Sequence, residues 1–288
     1  MNDYRSSTPS MYSSDDSVIQ CGEFSLATKK TRAPAGVAAV DRALAIVQTI
    51  ASQPEPWSLA RLSAATDLYK STILRLLGSL ENARYITRLR DGSYTLGPAI
   101  FRLGLAYEQA NPLGVIVLPV LESLVKNGTE SASLHIRHNA ASRVCLVRVN
   151  SNHSTLDRIQ AGDILPIDRG AAGRLLAAFD DEVSSAAKQL RDSCFALSVG
   201  ERDPACAGVA CPVFGPDGVV KGVLSLSGPR ERFTPVAITH MRKLLLAAAT
   251  TVTQTLGGKF PEIPKGYDAS GKLLDAQLTK KPKRSGVD

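Results

Sequence analysis

Apolar residues recur at fixed steps through the middle of the chain, between two polar ends. Residues 1–35 are polar and show no such periodicity, which predicts a disordered arm. From Val37 onwards, apolar residues recur every three or four positions, which is the spacing of an amphipathic helix. The predicted buried stripe of this first helix consists of Val40, Ala43, Leu44, Val47 and Ile50. Ser58 is then a suitable N-cap for a short second helix.

A third helix is predicted to begin near Tyr69 and to end near Asn82. Its apolar positions follow the i, i+3, i+4, i+7 pattern of one buried face. These positions are Ile73, Leu76, Leu77 and Leu80. The opposite face is then free to meet a partner.

A β-hairpin is predicted directly after the third helix. The runs 85–89 and 93–96 are rich in β-branched and aromatic residues, and they flank Asp91-Gly92. Glycine accepts the positive φ that a tight turn requires, so this pattern is a strong hairpin signal. Three short helices followed by a hairpin predict a winged helix-turn-helix domain over residues 36–97.

The second half of the chain mixes helical and strand patterns. A linker helix is predicted over residues 98–111, and its apolar residues cover more than one face, which favours pairing with a second copy. Further helices are predicted from Pro112 to Val125, over 170–179 and over 235–255, and strands over 133–137, 143–149, 208–214 and 219–227. The pattern predicts an α+β chain whose second domain spans residues 112–256 and precedes a disordered basic tail, 257–288.

Composition narrows the class of protein. Apolar residues make up 44% of the 288 residues, and no uninterrupted apolar run of about 18 residues could span a membrane. The first twenty residues lack the basic start and apolar segment of a secretory signal, so we expect a cytoplasmic protein. The five cysteines show no C-x-x-C pair, and His135, His138 and His153 lack metal-ligand spacing. Free thiols are therefore expected, with neither structural zinc nor a cofactor.

Basic charge is concentrated on the third helix and the hairpin. The whole chain carries a net charge of +7, which favours a polyanionic partner. Residues 68–90 hold five basic side chains and one acidic one, whereas residues 36–67 hold two basic and three acidic ones. A helix that enters the major groove needs small or basic residues on its free face. The predicted DNA-binding residues are Lys70, Ser71, Thr72, Arg75 and Ser79 on the helix, with Arg88 and Arg90 on the wing.

Three segments of the chain resemble the isocitrate lyase regulator (IclR) family of bacterial transcription factors. The first comprises residues 68–77 with the wing and exit at 91–98. The second is Gly162-Asp163-Ile164-Leu165-Pro166 with residues 170–177, and the third comprises residues 209–214 and 222–229. The resemblance extends over residues 37–256. The chain departs from the family pattern at Ile167-Asp168-Arg169 and at Glu201-Arg202-Asp203.

The resemblance implies a GAF-like α/β effector-binding domain, in which a sheet flanked by helices holds a small metabolite, often an organic acid. The residues that it implies for effector binding are Gly170, Ala171, Cys211, Ser225 and Ser227. By periodicity alone, Ser225 and Ser227 share one side of a strand that faces either a pocket or solvent, and the resemblance favours the pocket. Cys211 is also typical of a small buried residue. Arg169 and Arg174 are either attractors of an anion or ordinary exposed arginines.

The combined pattern predicts a transcriptional regulator rather than an enzyme. Its expected partners are a pseudo-palindromic double-stranded operator, a carboxylate or aromatic acid effector, and further copies of itself in a homodimer or homotetramer, with RNA polymerase as a further candidate and no membrane. Two alternatives remain open. One is an enzyme with an accessory DNA-binding module, although no catalytic motif supports it, and the other is an architectural DNA binder that ignores small molecules.

Overall fold

The computed structural model describes residues 36–179, 184–264 and 271. The predicted arm at 1–35 and most of the predicted tail at 257–288 lie outside the described residues. The chain forms two compact units that divide between Ile100 and Phe101. This division lies within the segment that was predicted to be a linker helix.

The first unit has the predicted order of three helices followed by a hairpin. Its elements are α1 (Ala38–Ala51), α2 (Leu59–Thr66), α3 (Lys70–Asn82), β1 (Ile86–Arg88) and β2 (Tyr94–Leu96). A fourth helix, α4 (Pro98–Ala110), begins in this unit and continues past the division. The strands β1 and β2 pair antiparallel, with Arg88 directly opposite Tyr94.

The core of the first unit confirms the predicted stripe of α3 and corrects that of α1. In α3, Ile73, Leu77 and Leu80 are buried, and Leu76 packs against the same cluster. In α1 the predicted Ala43, Val47 and Ile50 belong to this cluster, whereas the predicted Val40 and Leu44 are 52% and 49% exposed, and Ile46, which was not predicted, is fully buried. Apolar residues cover more than one face of α1, so periodicity alone did not exclude Val40 and Leu44, and packing against α2 and α3 leaves them outside the core.

The turn between α2 and α3 is fixed by local hydrogen bonds. Ser58 caps α2, since its hydroxyl oxygen accepts the Arg61 N–H at 3.3 Å. At the other end Asp67 is left-handed with φ 53°, which terminates the helix. The Ser63 hydroxyl donates to the Leu68 carbonyl oxygen at 2.7 Å and so ties α2 to the residues that precede α3. The orientation of α3 relative to α2 is thereby set.

The second unit is a six-stranded antiparallel sheet flanked by helices. Its strand order is β5-β4-β3-β8-β7-β6. The strands are β3 (Ser131–Arg137), β4 (Ser142–Val149), β5 (Ile164–Pro166), β6 (Ala196–Val199), β7 (Cys206–Phe214) and β8 (Val220–Pro229). The helices are α5 (Leu113–Lys126), α6 (Ala171–Ala178), α7 (Ser185–Ser193) and α8 (Pro235–Thr255), with a short 3-10 helix at Arg230–Arg232. Among the described residues no helix is both long and apolar enough to cross a membrane.

The two faces of this sheet have different chemistry. One face packs against α5 and α8 through an apolar cluster that includes Leu134, Val209 and Leu226. Side chains alternate along a strand, so the neighbouring residues point to the opposite face, where α6 lies. That face carries a buried polar stripe in the middle of the sheet. Its members are Ser131, Ser133 and His135 on β3, with Ser225 and Ser227 on β8.

Candidate functional site

The free face of α3 carries the predicted DNA-binding side chains. Lys70, Ser71, Arg75 and Ser79 are exposed, and Thr72 is half-buried. The helix has no acidic residue in its first turn. Its polar surface therefore begins at the N-terminal end, which is the end that contacts base edges in helix-turn-helix proteins.

The wing is held to the helices by more than its own two strands. Trp57, directly before α2, forms an isolated β-bridge to Tyr94, with backbone N–H groups donating in both directions at 2.9 and 2.8 Å. The Arg88 guanidinium lies 6.0 Å from the centroid of the Tyr94 ring. Arg88 and Arg90 are both exposed. The bridge fixes the position of the hairpin that carries these two cations.

The tip of the wing is a tight turn stabilised by one carboxylate. Asp91 Oδ1 accepts hydrogen bonds from the Ser93 backbone N–H at 2.9 Å and from its hydroxyl at 2.6 Å. These bonds lower the pKa of Asp91 below its usual value. Gly92 adopts φ +83°, which is the positive φ predicted for the glycine of a tight turn.

Two further exposed side chains of this unit, Tyr69 and Arg61, were not among the predicted DNA-binding residues. Tyr69, the residue before α3, is 85% exposed beside Lys70. Arg61 in the first turn of α2 lies 4.5 Å from the centroid of the Trp57 ring. The sequence signal for Tyr69 was its position at the start of α3. Arg61 lies within residues 36–67, whose net charge is negative, so the charge pattern did not indicate it.

A cavity of about 40 Å³ lies in the second unit, against the polar face of the sheet. Four of the five residues predicted to bind an effector line it, namely Gly170, Ala171, Ser225 and Ser227. The β6–β7 segment contributes Glu201, Arg202 and Asp203 to the same wall. The structure therefore brings the small-residue start of α6 and the serines of β8 together around one space.

The structure does not bring Cys211 to this cavity. Cys211 is fully buried in the apolar cluster on the other face of the sheet, opposite Leu224 in the register of β7 and β8. Ser225 is opposite Ala210, so the alternation of side chains separates the Cys211 thiol from the serine hydroxyls. Burial raises the pKa of Cys211 well above its usual value, which keeps it a neutral thiol.

Arg143 on β4 is a buried cation of the cavity that the sequence did not reveal. It is 2% exposed, and its guanidinium donates to the carbonyl oxygens of Pro166 and, at 3.1 Å, of Arg169. Its Nε has no hydrogen-bond partner among the described residues. Burial, together with the nearby Arg202, lowers the pKa of Arg143 to about 10, so it stays charged at neutral pH.

Gly173 of α6 makes room for this arginine. A Cβ at this position would clash with the Arg143 guanidinium and would lie 2.6 Å from the Ile167 carbonyl oxygen. Gly170, which precedes α6, has φ +77°. The small residues at the start of α6 thus let the helix approach a buried guanidinium closely.

His135 on β3 is the second buried titratable group that lines the cavity. It is 1% exposed, and its Nδ1 has no hydrogen-bond partner among the described residues. Burial and the positive charge of Arg143 hold the pKa of His135 well below 6.5, so the imidazole is neutral at physiological pH. The predicted strand over 133–137 places His135 in a strand, as the structure does, but gave no sign of the cavity.

A buried ion-pair network borders the cavity at Ser227. Asp157 accepts from Arg148 and, at 2.8 Å, from the Ser227 hydroxyl, and Arg202 approaches it at 3.5 Å. The Asp157 side chain is fully buried and that of Arg148 is 4% exposed. Ser227 therefore faces the cavity and not solvent.

Glu201 places a carboxylate at the start of α6. Its Oε2 accepts the Gly170 backbone N–H at 2.9 Å, and its Oε1 accepts from Arg174 at 2.7 Å. Arg169 forms an exposed pair with its neighbour Asp168 at 3.2 Å. Of the two arginines considered as anion attractors, Arg174 is thus the one whose guanidinium is held by a carboxylate at the start of α6.

Two protein-family models match this chain, one in each unit. The model of the IclR helix-turn-helix domain matches residues 39–90. The model of the bacterial transcriptional regulator IclR C-terminal domain matches residues 181–254. The first match contains α3 and the first strand of the wing, β1, and the second contains β6 to β8 and nearly all of α8.

Individual relatives cover both units. The HTH-type transcriptional regulator KipR of Bacillus subtilis (strain 168) is 20% identical over 76% of this chain and 96% of its own length. The DNA-binding transcriptional repressor YiaJ of Escherichia coli (strain K12) is 25% identical over 82% of this chain and 93% of its own. An IclR homologue of Microbacterium hydrocarbonoxydans, crystallised with 4-hydroxybenzoate, has the same fold with a TM-score of 0.63, at 18% identity over 76% of this chain and 99% of that one. Both units of the chain therefore match models of the IclR family of bacterial transcriptional regulators.

Proposed function

We propose that this regulator binds a pseudo-palindromic operator through α3 and the wing, and that a small organic acid in the cavity of the second unit modulates that binding. The DNA-binding domain would span residues 36–97, the linker helix 98–111 and the effector domain 112–256. The single observation that carries the proposal is the division of α3 into a buried apolar face and an exposed face with Lys70 and Arg75. Such a regulator works in the cytoplasm, as a non-enzymatic protein.

Arg75 is the residue proposed to read a base. It is exposed in the second turn of α3, where its planar guanidinium can donate two hydrogen bonds to guanine O6 and N7. Lys70, Ser71, Thr72 and Ser79 would contact phosphates or base edges, and Arg88 and Arg90 on the wing would meet phosphates or the minor groove.

The effector proposal rests on the chemistry of the cavity. Gly170 and Ala171 at the start of α6 line the cavity together with Ser225 and Ser227. The buried cation of Arg143 lines it as well. Backbone N–H groups at a helix start and a guanidinium are both donors suited to a carboxylate. A fold relative holds 4-hydroxybenzoate, which is an acid of this class.

Self-association is proposed from α4 and from operator symmetry. The residues of α4 in the second unit are exposed throughout, and Phe101, Leu103, Leu105 and Tyr107 are 42% to 69% exposed. Exposed large apolar residues on more than one face of a helix are typical of interaction sites. A homodimer or homotetramer would also match a two-fold symmetric operator.

The experiment is a binding titration on DNA sites that the wild-type protein selects from a randomised pool. Arg75→Ala is expected to cost about 1–3 kcal/mol and to relax sequence preference at one base pair. Arg42→Ala is the matched control, since Arg42 is an exposed arginine on α1 of the same unit. Full affinity and full specificity in Arg75→Ala would refute the assignment of α3 as the DNA-reading helix.

A further inference from the structure

The segment between β6 and β7 closes one side of the cavity with charged side chains. Glu201, Arg202 and Asp203 all line the cavity. Two of them reach other elements, because Glu201 contacts the start of α6 and Arg202 contacts Asp157 at 3.5 Å. The segment is therefore held by ion pairs on two sides of the cavity.

The Glu201 carboxylate occupies the position that a ligand carboxylate would need. It accepts the Gly170 N–H and an Arg174 N–H, which are a helix-start donor and an adjacent cation. An anion is favoured at such a site by the unpaired N–H groups and by the helix dipole. The protein thus supplies its own anion there, from a side chain that is 32% exposed.

Two independent observations in the same cavity point to a ligand. The Arg143 Nε and the His135 Nδ1 are both buried, both belong to residues that line the cavity, and neither has a hydrogen-bond partner among the described residues. A buried polar atom without a partner is costly, so such atoms call for a bound group. The cavity of about 40 Å³ accommodates roughly three water molecules and is far below the volume of a typical ligand pocket.

We propose that Glu201 is a built-in competitor that latches the cavity shut, and that a carboxylate ligand must displace it from Gly170 and Arg174 in order to bind. This inference rests on the proposed function, because it takes the cavity as the effector site. The displaced side chain is already partly exposed, so its transfer to solvent costs little desolvation. The incoming carboxylate replaces both hydrogen bonds, whereas a neutral analogue leaves the Arg174 cation without its counter-charge. The latch therefore selects for acids.

The latch is tested by hydrogen exchange in the full-length protein. Removal of the acceptor in Glu201→Ala is expected to raise the exchange rate of the Gly170 amide about fivefold, which corresponds to the loss of one hydrogen bond. Glu201→Gln keeps an acceptor and is expected to fall between wild type and Glu201→Ala. Glu122→Ala, at an exposed glutamate on α5, is the matched control and should exchange as wild type does. An unchanged rate at Gly170 in Glu201→Ala would overturn the inference.

The anion preference is tested by chemical rescue with acetate. In Glu201→Ala, acetate is expected to restore the protection of the Gly170 amide, because a free carboxylate can take the vacated position. Chloride at the same ionic strength and the neutral analogue acetamide should not restore it. Rescue by acetamide as strong as that by acetate, or no rescue by acetate, would overturn the proposed competition.

These outcomes are separable from failure of the proposed function. If exchange and rescue behave as expected but the titration with Arg75→Ala shows no loss, α3 is not the DNA-reading helix and the latch still stands. If Arg75→Ala loses affinity while Gly170 exchange ignores the Glu201 substitution, the regulator assignment stands and the latch falls.

Discussion

The charged side chains of the two candidate sites differ in burial. In the first unit Lys70, Arg75 and Arg88 are exposed on a small apolar core. In the second unit Arg143, the Arg148 side chain and Asp157 are buried beside a cavity. Exposed cations suit a large polyanion, which approaches from solvent and is attracted over the whole surface. Buried cations suit a small ligand, because a buried charge is costly unless it is paired or hydrogen-bonded.

The largest expected effect is the loss of a buried counter-charge. Asp157→Ala leaves the buried Arg148 guanidinium unpaired, with Arg202 close by, and should lower the free energy of unfolding by about 3–5 kcal/mol. Asp168→Ala breaks an exposed pair with Arg169, whose side chains are 68% and 54% exposed, and should cost less than about 1 kcal/mol. Urea titration followed by circular dichroism measures both. Equal effects would show that burial does not distinguish the two pairs.

A smaller effect with opposite signs in the two units is expected from helix glycines. Gly173→Ala forces α6 against Arg143 and the Ile167 carbonyl, and should lower stability by about 1–3 kcal/mol. A Cβ at Gly78, exposed on α3, meets nothing within 4 Å, so Gly78→Ala should raise stability by up to about 1 kcal/mol.

Fluorescence of Trp57, the single tryptophan of the chain, reports on the first unit, and circular dichroism follows the whole chain. Stabilisation by Gly173→Ala would contradict the close approach of α6 to the buried guanidinium.

A pH-dependent effect of about the same size or smaller is expected from His135. Its pKa in the folded protein lies well below 6.5, the ordinary value that the unfolded chain regains. Below pH 6.5 the unfolded state therefore binds a proton that the folded state does not, and stability falls as pH decreases, by up to about 1.4 kcal/mol per pH unit. Arg143, Arg148 and Arg202 are the cations that act on His135. Arg143, whose pKa is about 10, stays charged throughout this window.

His135→Gln is expected to remove this part of the pH dependence in urea titrations between about pH 7.5 and about pH 5.5. His138→Gln, at an exposed position, is the matched control and should keep the wild-type slope. If His135→Gln keeps the wild-type slope, another group is responsible for it.

Elements marked by a long apolar period or by a turn signal were predictable from the sequence. The spacing from Ile73 to Leu80 gave the buried face of α3, and the Asp91-Gly92 pair gave the wing. The strands β5 and β6 were missed, because three and four residues are too few to show a period, and the helix α7 was missed, because Leu190 is its one large apolar residue. For α1, periodicity did not exclude Val40 and Leu44 from the buried face, and the contacts of Ile46 show where that face lies.

The cavity was predictable only in part because it is assembled from distant segments. Four small or hydroxyl-bearing residues came from the family resemblance, and the structure places them around one space. Arg143 and His135 stand in ordinary strand patterns, so only the pairing of β3 with β4 and β8 reveals that they meet there. Cys211 was included by resemblance, and a single step in the alternation of β7 places its thiol in the apolar core instead.

The two edge strands of the six-stranded sheet are short. Its two outermost strands, β5 and β6, have three and four residues, and β5 finishes at Pro166, which has no N–H to donate. Long unpaired edges are templates for the addition of foreign strands and so for fibrous aggregates, whereas short edges offer few free backbone groups. The short edges of the folded second unit therefore disfavour the addition of strands from other chains.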